Sequence, residues 1–259
     1  MAGLRLGVAG AALATVISQA AMTVFLVGYG VKKYPVLRFR WGKSALDSLS
    51  FREGCRFGLP PMLQSSVSSM GSLILQNFMN GFGTQTVAAI TTAYRVDSIV
   101  MVPIINLGSG ISTLVAQAQG SGQGGRAKRT FGVGVAVMAV VSLLLTVTVI
   151  PTGGRLIALF GAGPQAVAIG DGFFRRIALF YPVFGLATAV RSYLEGLGDV
   201  VYSSFAGIAA LLSRILFSYA LAGLFDNMVI AVAEGLSWIL LLLLYAGRAV
   251  IKARRTVSS

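Results

Sequence analysis

Eight acidic residues and twenty-one basic ones are spread along 259 positions, with no histidine and a single cysteine, Cys55. That inventory decides which chemistry is open. A zinc site, a Cys–His pair or a Ser-His-Asp triad lacks its parts, and no disulfide can close within the chain. What remains is the binding of a proton or cation by a carboxylate in apolar surroundings. Asp97 meets that description: it lies in AYRVDSIVMVP (93–103), after residues 57–94 without one charge and before an uncharged run that ends at Arg126. Glu234, in AVAEG ahead of the uncharged residues 235–247, is the second such acid. Ionisable residues within apolar spans are costly and mark functional sites by default.

Spacing sharpens both readings. On a helix Tyr94 shares the face of Asp97, whereas Arg95 points about 200° away, which leaves Asp97 free for a ligand. Counting ~20 residues back from Gln119 sets the hydrocarbon boundary near Val100. Asp97 is then either an interfacial neighbour of Arg95 at the outer mouth, or an acid facing a water-filled cavity. Glu234 is a coupling-ion candidate too, but a structural pairing with Arg214 on the preceding antiparallel helix is preferred. Arg191 and Glu195 are an i,i+4 pair, and Asp171, Arg175 and Arg176 form an outer-interface cluster. A row of uncharged polar residues, including Gln64, Ser65, Ser69, Ser72, Gln76 and Asn80, suits either interhelical hydrogen bonding or the polar wall of a substrate cavity. Gln64, Gln76, Asn80, Tyr94 and Asn106 are the cavity candidates.

These residues need helices to position them, and the composition says where the helices lie. Hydrophobic residues make up 56% and charged residues 11% of the chain, against roughly 25% charged in soluble domains. The pattern predicts an all-α, polytopic transmembrane bundle. Seven spans are expected at 4–31, 57–80, 86–119, 130–150, 170–194, 200–223 and 228–250. Pro60 and Pro61 are placed in the first turns of the second span, Pro151 at the end of the fourth, and RLIALFGAG (155–163) in a short interfacial helix. Pro103 and Pro182 are expected to bend their helices. No cleavable signal peptide is evident.

Charge orders the loops. Seven basic residues fall in 32–56, three in 120–129 and four at the C-terminus, from Arg248 to Arg255, while the alternate loops hold only Arg155. Under the positive-inside rule the basic loops and the C-terminus are cytoplasmic. The net charge of +13 therefore reads as membrane topology rather than nucleic-acid binding. Seven crossings then put Met1 outside, which suggests that upstream helices are missing. GSGQGG (120–125) matches G-x-G-x-x-G formally, but it follows a membrane helix and lacks the acidic residue ~20 positions on, so no dinucleotide site is expected.

The stretches GVAGAALATVISQ (7–19), FGLPPMLQ (57–64), LQNFMNGFGTQTVAAITTAYRVDSIVMVPIINLGSGISTLVAQAQGSG (75–122) and YLEGLGD (193–199) resemble the multidrug and toxic compound extrusion (MATE) family. The resemblance covers essentially the whole chain. It implies half of a twelve-helix, two-lobe transporter: residues 1–31 as the last helix of the first lobe, 32–56 as the cytoplasmic inter-lobe loop, 57–251 as the second six-helix lobe and 252–259 as a basic tail. It further implies an inner-membrane antiporter, without cofactor, exporting small organic and often cationic compounds against inward flow of H⁺ or Na⁺, with the lipid bilayer and the missing first lobe as partners. One departure stands out: some relatives place a coupling acid in the first helix of the second lobe, and residues 57–80 hold none. A lipid-linked oligosaccharide flippase, a membrane-embedded transferase and a non-transporting membrane scaffold are the rival readings. The flippase is disfavoured by the lack of Arg in the second helix. The transferase is disfavoured by scattered acids that could not gather Mg²⁺.

Overall fold

The computed structural model describes residues 7–34 and 47–255. These form helices throughout: α1 (Gly7–Lys33), α2 (Ser48–Asn80), α3 (Thr84–Val100), α4 (Val102–Gly120), α5 (Gly124–Leu159), α6 (Pro164–Ile177), α7 (Tyr181–Gly196), α8 (Val200–Ala220), the single turn α9 (Ala222–Phe225) and α10 (Val229–Arg255). Contacts divide the chain into two units, Met1–Glu53 and Gly54–Ser259. In the first, α1 is an apolar helix that ends on Lys32 and Lys33, and Asp47 opens α2. The Asp47 carboxylate accepts hydrogen bonds from the backbone N–H and the hydroxyl of Ser50, both at 3.0 Å. Those bonds favour its ionised form and hold its pKa below the ordinary carboxylate value.

Among the described residues five helical spans are long and apolar enough to cross a membrane, and α3 with α4 make a sixth if the bent pair counts as one. The seventh expected span, α2, has the length, 33 residues, but its Ser, Gln and Asn row dilutes its hydropathy. Several expected boundaries shift. The second helix begins at Ser48 rather than 57, so Pro60 and Pro61 stand well inside it. Residues 35–46 of the expected 32–56 loop lie outside the described residues. The fourth helix runs on through Pro151 to Leu159; RLIAL therefore continues α5 instead of forming a separate interfacial helix. A proline in a membrane helix loses one backbone bond but need not end the helix where neighbours cover the gap.

The second unit is built from α4, α5, α7 and α10 packed side by side, with α6 and α3 against one end of α5 and α8 against α10. Its core is aromatic and aliphatic: Phe173, Phe174, Ile177, Tyr181, Ile104, Met138 and Ile157 are fully buried. Helices approach closely through small residues, as membrane helices do. A Cβ added at Gly196 would lie 2.8 Å from the Ser112 carbonyl oxygen. GSGQGG turns out to be a helix cap. Gly122 adopts φ 72° and the Gln123 N–H reaches back to the Ala118 carbonyl at 2.8 Å, the pattern that glycine permits at helix C-termini.

Two joints interrupt the expected spans. The 86–119 helix breaks at Met101, where α3 and α4 meet at 42°, with Pro103 in the first turn of α4. The 170–194 helix divides into α6 and α7 through a 3-10 turn at Ala178–Phe180. Pro182 cannot donate to the Ala178 carbonyl, and the hydroxyl of Thr146 on α5 fills that role at 2.7 Å.

Candidate functional site

Both joints deliver polar side chains to one place. Asp97 stands one turn before the α3–α4 break, and Tyr181 opens α7 directly after the 3-10 turn. The Tyr181 hydroxyl donates to Asp97 Oδ1 at 2.6 Å, the short distance typical of an O–H bonded to a carboxylate. Tyr181 is fully buried and Asp97 is 8% exposed. Tyr94, one turn earlier on α3, donates its hydroxyl to Glu234 Oε2 on α10 at 3.0 Å. Arg214 of α8 donates through Nη2 to both the Tyr94 oxygen at 2.6 Å and Glu234 Oε2 at 3.1 Å. Its guanidinium also lies 5.6 Å from the Tyr94 ring centroid, within cation–π range.

Four helices thus contribute to one buried group of two carboxylates, two phenols and one guanidinium. Glu234 and Arg214 form an ion pair; Asp97 has no ion pair among the described residues. Arg95 is exposed and turned from Asp97. The helix that carries Asp97 does not run straight to Gln119 but bends at Met101, and α3 extends thirteen residues from Asp97 back to Thr84, about 20 Å of helix. No three His, Cys, Asp or Glu side chains among the described residues converge as a metal site.

A cavity of about 220 Å³ opens against this group, lined by Ser72, Leu75, Gln76 and Met79 of α2 together with Tyr94, Arg214 and Glu234. Arg214 Nε is buried without a protein hydrogen-bond partner, and an orphaned polar atom beside a polar cavity is where water or a polar ligand binds. Of the cavity candidates, Gln76 and Tyr94 line this space. Asn80 is exposed and lies outside it. The Gln64 amide instead covers Gly207 so closely that a Cβ there would displace it. Asn106 donates to its own helix at the Val102 carbonyl, 2.9 Å away, and borders a different groove. Asn106 thus satisfies itself on the neighbouring backbone, as polar side chains in a membrane helix can.

The residue that sequence reasoning passes over is Tyr181. It has no charge, and only its position directly before Pro182 distinguishes it. Arg214 enters the sequence reading merely as a partner for Glu234; here it bonds to Tyr94 as well. The remaining ion pairs are structural. Asp199 in the α7–α8 turn holds Arg248 at 2.8 Å and Lys252 at 3.7 Å. Asp171 accepts from Arg175 at 2.7 Å and from the Gly154 N–H at 3.1 Å.

The fold and sequence have clear relatives. Over 202 residues the chain is 27% identical to the "Probable multidrug resistance protein YpnP" of Bacillus subtilis (strain 168), covering 76% of this chain and 44% of that one. It is also 27% identical over 208 residues to "Probable multidrug resistance protein NorM" of Thermotoga maritima, covering 76% and 42%. The chain thus spans less than half the length of these curated relatives. Among solved structures, a MATE crystal structure in complex with MaL6 superimposes with a TM-score of 0.84 at 18% identity, over 98% of this chain and 58% of that one. A second, the outward-facing conformation of a multidrug resistance MATE family transporter, gives 0.70 at 22% identity over 76% and 44%. The MatE family model matches residues 60–220, a stretch that runs from the prolines of α2 through both joints to the end of α8. This chain belongs to the MatE family of multi-pass membrane transporters.

Proposed function

We propose that this chain forms the second lobe of a cation-coupled exporter of small organic compounds, and that the Asp97–Glu234 group takes up the driving cation. One observation carries the proposal: of two buried carboxylates, Glu234 is paired with the Arg214 guanidinium and Asp97 has no ion pair among the described residues. With both acids ionised the group is one positive charge short, and an unmatched charge away from water is strongly disfavoured. Uptake of H⁺ or Na⁺ supplies the missing charge. Glu234 already has Arg214, so the exchanged cation belongs on Asp97, with the Tyr181 hydroxyl orienting the carboxylate. Substrate would meet the same group through the cavity at Gln76 and Tyr94. Binding of an organic cation there adds positive charge beside the same group and so opposes uptake of the coupling ion on Asp97, which is how exchange is enforced.

The loops at 32–56 and 120–129 and the C-terminus are then cytoplasmic, in the inner or plasma membrane, as their basic residues favour. Rocking between two access states needs a second lobe to move against, so export requires the partner lobe, supplied in the same polypeptide or separately. The names of the relatives support export of multiple drugs as the activity. Ethidium efflux tests the reading. Cells producing this lobe together with its first-lobe counterpart should extrude the dye, and an uncoupler or removal of Na⁺ should stop it. Uncoupler-sensitive efflux from cells producing this lobe alone would contradict the half-transporter reading.

A further inference from the structure

A groove of about 590 Å³ runs between α4 and α5, well apart from the carboxylate group. Its walls are apolar: Leu107, Ile111 and Leu114 on α4 face Val133 and Val137 on α5. Its mouth is basic, formed by Arg126 and Arg129 in the first turns of α5. From Arg126 to Val137 is eleven helical rises, about 16 Å. One leaflet of the hydrocarbon core is about 15 Å deep. The groove is therefore one acyl chain long, with both arginines at headgroup level.

The charge at the mouth asks for an anion. Arg126, Lys128 and Arg129 crowd the N-terminus of α5, where the helix dipole already presents positive charge, and the first turn of α5 holds no acid. Arg126 has only a 3.5 Å contact with the Gln123 side chain, and neither arginine makes an ion pair among the described residues. Long basic side chains at this depth rise to the interface while their stems cover apolar surface. Basic pockets between helices on the cytoplasmic side are suited to anionic headgroups.

We propose that this groove binds an anionic phospholipid of the cytoplasmic leaflet, one acyl chain along the α4–α5 walls and the headgroup phosphate on Arg126 and Arg129. The leaflet assignment rests on the topology proposed for the basic loops. Binding measured in detergent reads the site even if that topology is wrong. Lys128 provides an internal control: it carries the same charge in the same turn but lines a different hollow, beside Tyr193 and Lys252. Gly110 provides another. It borders the groove, and a Cβ added there meets nothing within 4 Å, so the larger side chain of Gly110→Leu has room to enter the slot.

The test is native mass spectrometry of the purified full-length protein in neutral detergent, titrated with phosphatidylglycerol or phosphatidylcholine of identical acyl chains. The wild type should retain phosphatidylglycerol preferentially. The double variant Arg126→Gln/Arg129→Gln should weaken that lipid roughly thirtyfold, at about 1 kcal/mol per basic residue, and abolish the preference. Lys128→Gln should leave it intact, and Gly110→Leu should weaken both lipids alike. Equal retention of the two lipids by the wild type would overturn the proposal. So would a preference that survives in the double arginine variant, or is lost in Lys128→Gln. Displacement of phosphatidylglycerol by inorganic phosphate, with Gly110→Leu silent, would make the ligand a soluble anion and overturn it as well.

Discussion

The hydroxyl of Tyr181 bonds to the carboxylate of Asp97 at 2.6 Å across 84 residues of sequence, and each residue sits at a break in its own helix. The bond is geometric control of an acid: it fixes where the Asp97 oxygens point without supplying a charge. Tyr181→Phe should preserve fold and membrane level, because the ring still fills its buried site. Export should fall several-fold and show a shifted dependence on external pH or Na⁺, measured as dye efflux across a cation titration. An unchanged titration profile would reduce Tyr181 to a packing residue.

The Arg214–Glu234 pair should behave as a unit. Removing either partner alone leaves the other charge buried and unpaired, which costs about 3–5 kcal/mol. Arg214→Gln and Glu234→Gln should each lower the melting temperature of the purified protein, and the double variant should recover much of the loss. If the two single losses simply add, the pair is not coupled and the ion-pair geometry has no energetic meaning.

Small residues at the α4–α7 contact predict a sharp positional contrast. Gly196→Ala drives a methyl to within 2.8 Å of the Ser112 carbonyl oxygen, an overpacking that costs about 1–3 kcal/mol. Gly132→Ala has open space around it and should be neutral or slightly stabilising, since alanine is the better helix former. Thermal unfolding in detergent separates the two.

Thr146 links packing to the site. It supplies the hydrogen bond that Pro182 cannot make to the Ala178 carbonyl, at 2.7 Å. Thr146→Val keeps the shape but removes one of the two donors to that carbonyl, which retains the Tyr181 N–H, at about 0.5–1.5 kcal/mol. Because the 3-10 turn aims Tyr181, the same variant should also reduce export beyond what its lower stability explains. Thr148→Val, whose hydroxyl bonds only to its own helix at the Leu144 carbonyl, is the matched control.

The two acids are legible in the sequence because charge is scarce in an apolar chain, and Tyr94 is legible because three residues of helix put it on the Asp97 face. Tyr181 is not. An uncharged aromatic among apolar residues signals core, and its proximity to Asp97 arises only when α6 packs against α3 and brings the start of α7 beside it. Gln64, Asn80 and Asn106 lie outside the cavity beside Glu234 for a different reason. Polarity in a membrane helix is visible in sequence, but whether the group turns to a cavity or back to its own backbone depends on tertiary packing. Helix ends are misread where local propensity and context disagree. Pro151 reads as a stop, yet α5 continues through it, whereas the break at Met101 falls where Pro103 is expected to bend its helix.

The most direct test of the coupling proposal is ethidium efflux by the full-length protein carrying Asp97→Asn, at matched membrane levels, under an imposed H⁺ or Na⁺ gradient. Asparagine keeps the shape and still accepts the Tyr181 hydrogen bond, but it cannot gain and lose a charge. Gradient-driven export should be abolished while insertion and folding stay normal. Gradient-driven efflux at the wild-type rate would show that the cation is taken up elsewhere and would contradict the account.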